Sequence, residues 1–178
     1  QYTQSFPGVP GVSEPFDFFG QALTAGDFDG DGFDEIAVGS PGENLEAEGV
    51  SNAGAVTVLD IDSGLHFLLL QSDFPFEEAS EADEFGSVLA AGDFDADGVD
   101  DLGVGVPFED LGPVTTTGIV HVIHGAAGSG LSLATAANWL QTIDPSEVGD
   151  GFGFALAVGR FAGHSGHDLA IGAPGETV

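Results

Sequence analysis

The chain has 178 residues, with one Lys or Arg against 30 Asp and Glu, and a net charge of −29. A surface this acidic excludes nucleic acid and anionic lipid as partners, because phosphate binding needs Lys and Arg. There is no cysteine to form a disulfide, and no apolar run near the 20 residues that a membrane helix needs.

The chain contains no methionine, so Gln1 is not a translation start, and a signal peptide or longer N-terminal part is expected to precede it. Along the chain, Tyr2-Thr-Gln-Ser5 reads as the last strand of a preceding unit, and residues 1–18 link that unit to the first full repeat. Repeat one spans 19–84, with strands predicted over Phe19–Phe28, Glu35–Gly39, Gly54–Ile61 and His66–Ser72. Repeat two spans 85–151, with strands over Phe85–Phe94, Asp101–Val106, Gly118–His124 and Asn138–Ile143. Repeat three spans 152–178 and holds only Phe152–Phe161 and Asp168–Ala173. The fourth strands share a glutamine: Leu70-Gln-Ser72 and Leu140-Gln-Thr142 echo Gln4. Phe-Gly opens each repeat, at 19, 85 and 152, and a glycine-proline turn follows each second strand at Pro41, Pro107 and Pro174. Self-similarity at this spacing means a solenoid, propeller or array.

Between the first two strands of each repeat lies an acidic loop. The first copy reads Gly26-Asp-Phe-Asp-Gly-Asp-Gly-Phe-Asp-Glu35, and the second Gly92-Asp-Phe-Asp-Ala-Asp-Gly-Val-Asp-Asp101. Calcium takes six to eight oxygens, and alternate carboxylates on a tight loop can supply them. The expected ligands in copy one are Asp27, Asp29, Asp31, the Phe33 carbonyl and Glu35. In copy two they are Asp93, Asp95, Asp97, the Val99 carbonyl and Asp101. Gly32 and Gly98 permit the sharp turn. An EF-hand closes with Glu at position 12 between helices; position 12 here is Val38 or Val104, inside a strand. Asp/Gly clusters also make plain turns, but two full copies in one frame favour an ion, giving two Ca2+ sites.

The third copy keeps the frame and loses the ligands. Arg160, Ala162 and His164 stand where the aspartates stood, and Asp168 alone remains at the closing position. Arg160 is expected to pair with Asp168 and replace the missing ion. His164 and His167 suit a transition metal and also suit ordinary polar turns.

Phe-Gly, then Gly-Asp-x-Asp-x-Asp-Gly-x-x-Asp, then Gly-Ala-Pro resembles the FG-GAP repeat of integrin α-subunit heads and bacterial secreted proteins. Ser40 and Val106 depart from the alanine the family favours. The resemblance implies an all-β fold of four-stranded antiparallel propeller blades, with calcium in the first hairpin of a blade. Propellers close with about four to eight blades. Two full blades with partial blades at both ends leave the ring incomplete. Its completion is expected from further blades in the same polypeptide or from other copies of the chain.

No enzyme signature emerges. A Gly-x-Ser-x-Gly elbow, a cysteine nucleophile and a lysine are all missing from the sequence. His121 and His124, three apart on a strand, should point to opposite faces. Trp139 is a core residue or a platform for a sugar. Modest calcium loops stay filled at about millimolar calcium, which points to a secreted or cell-surface protein. The leading expectation is a non-catalytic calcium-binding adhesion or assembly protein. The alternatives are a self-assembling surface or filament subunit, and a glycan- or protein-recognition module of a larger secreted enzyme.

Overall fold

The computed structural model describes residues 2–45, 49–74, 79–141 and 147–177. These residues are almost all strand and turn. Blade one is a four-stranded antiparallel meander of β1 (Ala22–Gly26), β2 (Glu35–Ser40), β3 (Ala55–Leu59) and β4 (His66–Leu69). Blade two repeats it with β5 (Val88–Gly92), β6 (Asp101–Val106), β7 (Ile119–His124) and β8 (Ser132–Trp139). A hairpin of β9 (Ala155–Gly159) and β10 (Asp168–Gly172) begins a third blade. The three first hairpins share one register, with Gly26 opposite Glu35, Gly92 opposite Asp101 and Gly159 opposite Asp168.

The second and third strands are apolar on both faces, as strands buried on both sides are. All residues of β3 and β6 are buried. The main core lies between blades one and two, where Phe28, Val56, Val58 and Phe74 meet Phe85, Leu102, Val104 and Ile119. β1 packs beside β5, and β5 beside β9.

The Phe-Gly and Gly-x-Pro signatures meet at the seams. A Cβ on Gly39 would lie 2.1 Å from the Gly86 carbonyl oxygen, and one on Gly105 would lie 2.3 Å from that of Gly153. Only glycine lets the next blade's Phe-Gly backbone come this close. A second stitch recurs beside it. The Gln4 amide donates to Glu43 at 2.5 Å, that of Gln71 donates to Glu109, and that of Gln141 donates to Glu176. Each Glu lies two residues past its turn proline.

Two expected strands are corrected. Tyr2–Ser5 forms turns rather than a strand: the Phe6 amide bonds the Thr3 carbonyl, and no described strand lies beside it to complete a ladder. The fourth strand of blade two starts at Ser132 instead of Asn138. Leu131, Leu133 and Ala136 are drawn onto the inter-blade core, which pulls the small-residue stretch into the sheet. The expected end of that strand, Thr142 and Ile143, lies outside the described residues.

Candidate metal centre

Each acidic loop is wound by its own carboxylates. In blade one Asp27 accepts the amides of Asp31 and Gly32, both at 3.0 Å. Asp29 accepts Asp31 N–H at 3.0 Å, and Asp31 accepts Phe33 N–H at 2.8 Å. Blade two repeats every bond: Asp93 to Asp97 and Gly98, Asp95 to Asp97, and Asp97 to Val99. The closing acids reach back to the start of the loop. Glu35 accepts Phe28 N–H at 2.8 Å, and Asp101 accepts Phe94 N–H at 2.7 Å. Gly32 (φ 95°) and Gly98 (φ 92°) take the left-handed turn.

The winding gathers the carboxylates. Ligand atoms of Asp27, Asp29 and Glu35 lie within 4.8 Å of one another, and so do those of Asp93, Asp95 and Asp97. A calcium shell of 2.3–2.6 Å bonds is about 5 Å across, so each set fits around one ion. Asp31 is outside the first group and Asp101 outside the second. Burial among neighbouring carboxylates pushes the Glu35 acid up to about 7. Asp101 is raised for the same leading reason, desolvation. A cation bound there would offset the negative charge gathered around both acids.

The third loop is organised differently from expectation. Asp168 accepts the amides of Phe161 and Ala162 at 2.7 and 2.8 Å, and its other oxygen lies 2.7 Å from His164 Nε2. Those bonds hold its carboxyl below the usual range, the Ala162 amide foremost. Arg160 enters no ion pair among the described residues, so the expected Arg160–Asp168 pair does not form. The histidine four residues before Asp168 is close enough to occupy its free oxygen, and the exposed Arg160 stays in solvent.

Several contributors escape a reading of the sequence alone. Asp100 reaches from blade two to the Asp27 amide at 3.3 Å, and His167 reaches from blade three to that of Asp93 at 3.0 Å. Asp34, Asp100 and His167 hold the same place in successive repeats, immediately before the closing acid. His121 and His124 do face opposite ways. His121 is buried against Phe74 and Phe85, and desolvation lowers its pKa to about 4. His124 faces Asp101. Trp139 is half exposed rather than core.

Comparison with known proteins gives the same repeat. The FG-GAP repeat family matches residues 19–59 and 85–123. The chain is 31% identical over 175 residues to phosphatidylinositol-glycan-specific phospholipase D of Bos taurus, across 92% of this chain and 19% of that protein. It is 34% identical over 170 residues to integrin alpha-PS5 of Drosophila melanogaster, across 89% and 15%. It is 34% identical over 117 residues to integrin alpha-3 of Mus musculus, across 62% and 10%. The chain thus spans less than a fifth of the length of these relatives. Among the described residues, no helix is long and apolar enough to cross a membrane. With matching repeats, blades and relatives, this chain is built of FG-GAP repeats like those of its integrin alpha relatives.

Proposed function

We propose that the chain is a non-catalytic, calcium-stabilised extracellular module for adhesion or structural assembly, with repeats starting at residues 19, 85 and 152. One Ca2+ would sit in each of the first two loops, held by Asp27, Asp29, Asp31, the Phe33 carbonyl and Glu35, and by Asp93, Asp95, Asp97, the Val99 carbonyl and Asp101. The observation that carries this reading is the grouping of carboxylates within 4.8 Å in both loops. The ions would stiffen the hairpins rather than do chemistry. Loops of 10⁻⁴–10⁻³ M affinity at about millimolar calcium gain about 0.4–1.4 kcal/mol each. For a chain of this size that is a rise of a few degrees in Tm.

Thermal unfolding in calcium and in chelator tests the reading. Asp29→Ala should lower Tm by about 1–5 °C in calcium and do much less in chelator. Asp168→Ala should act equally in both. A wild-type melt that chelator does not move would overturn the calcium assignment.

The similarity to a protein named as a phospholipase D supports a second reading, a recognition module of a larger secreted enzyme. Its ligand would be a glycan or an extracellular protein. Binding to a glycan panel separates it from the first. A third reading, a subunit that completes its blades between copies, predicts a multimer by light scattering.

A further inference from the structure

The two full loops differ at the closing position, and the difference places a nitrogen donor beside the ion site of blade two. Glu35 reaches Asp27 and Asp29, and the three share one centre. Asp101 is one methylene shorter. It shares a centre with Asp95 and His124 instead, so Asp95 belongs to two groups.

His124 ends β7, just past a break in the β7–β8 register. Its Nδ1 lies 3.3 Å from Asp101 Oδ1 and 3.6 Å from Asp95 Oδ2. That nitrogen is shielded from solvent and has no hydrogen-bond partner. The two carboxylates are held in place from behind. Asp101 accepts Phe94 N–H at 2.7 Å and Gly125 N–H at 3.0 Å. Asp95 Oδ1 accepts Asp97 N–H at 3.1 Å, which leaves Oδ2 turned toward His124.

We infer that Asp95, Asp101 and His124 form a zinc-class transition-metal site that blade one lacks. The inference rests on the reading of the blade-two loop as a cation site, since Asp95 and Asp101 are shared with it. Zinc bonds nitrogen and carboxylate oxygen at about 2.0–2.2 Å, so ligands at the corners of its tetrahedron are about 3.3–3.6 Å apart. The two separations to His124 Nδ1 match those edges. A charge-assisted hydrogen bond would be about 2.7–2.9 Å. Calcium takes oxygen, whereas imidazole suits zinc, copper and nickel. Three protein ligands leave a fourth position for water, and a cleft lined by His124, Trp139 and His167 opens beside them. Blade one holds Asp60 at the equivalent position, where Ser63 occupies its carboxylate.

The test is calorimetric titration of the protein with Zn2+ in millimolar calcium, alongside Co2+ absorption spectra. The wild type takes up one Zn2+, and its Co2+ form gives the visible band of a four-coordinate site. His124→Asp, which installs the blade-one residue, lowers zinc affinity by at least about 100-fold and removes the band. The same variant keeps its calcium-dependent Tm. His124→Asn repeats the measurement should the aspartate disturb folding. Equal zinc affinity in the wild type and both variants overturns the site. So does a loss of zinc on His164→Ala with His124 intact. Calcium binding without zinc binding sinks this inference alone, and zinc binding without calcium binding sinks the calcium assignment alone.

Discussion

Ala96 stands where blade one has Gly30, and it keeps the left-handed backbone of that position at φ 67°. An L side chain there costs about 1–2 kcal/mol of local strain. Ala96→Gly should therefore stabilise blade two by up to about 1 kcal/mol, after the added freedom of the unfolded glycine is subtracted. Equilibrium denaturation reads the change. Glu43 carries a different kind of stress. Buried at the seam beside Asp17, it has a pKa pushed up to about 7, with burial the leading cause and the Gln4 bond opposing it. An acid raised in the folded state is stabilising while it stays protonated. That contribution is complete below the unfolded value near 4.5 and is lost as pH rises through about 7. Glu43→Gln keeps an acceptor for Gln4 and removes the titration. Its stability relative to wild type should rise between pH 5 and 8, and a flat difference across that range would discount the buried acid. His121 acts in the other direction. Lowered to about 4, it loses its stabilising contribution as pH falls from about 6.5.

Glycines at each seam, Gly39, Gly54 and Gly86 at the first, decide whether two blades can dock. Gly39→Ala would drive a methyl into the Gly86 carbonyl, backbone against backbone with no side chain able to yield. A loss of about 1–3 kcal/mol or more is expected. Gly172→Ala meets only its own hairpin, with Ala155 Cβ at 3.3 Å, and should cost much less. Paired unfolding curves distinguish them. These seams also mark how far the residues alone can be read. The first hairpins were legible because Phe-Gly, the acid spacing and the β-branched strands repeat in one frame. β8 was not legible, because Ser132–Ala137 is rich in alanine, a weak strand former, and only the inter-blade core makes it a strand. The acidic frame of the loops was likewise plain. The pairing of Asp168 with His164 was not, because two partners of similar reach competed and only geometry separates them. The glutamines were visible as a pattern, yet their glutamate partners lie 35 to 39 positions away.

Across the molecule, burial of equivalent residues depends on whether a blade follows. Phe28 of blade one is 1% exposed under blade two, whereas Phe161 of the third hairpin is 65% exposed. The same side chain thus contributes very different amounts. Phe28→Ala should cost about 3–5 kcal/mol, while Phe161→Ala should change stability by less than about 1. A large loss at Phe161 would mean that something covers the third hairpin in solution, and light scattering on the same sample would reveal a second copy.

The Gln–Glu stitches carry a consequence for how such proteins grow. Donor and acceptor sit at fixed places in every repeat, so each blade offers the same glutamine forward and the same glutamate backward. A blade duplicated or deleted as a whole unit leaves every remaining seam matched. A gain or loss of one whole repeat therefore needs no new junction, whereas an insertion or deletion that removes only one member of a pair leaves the other without its partner.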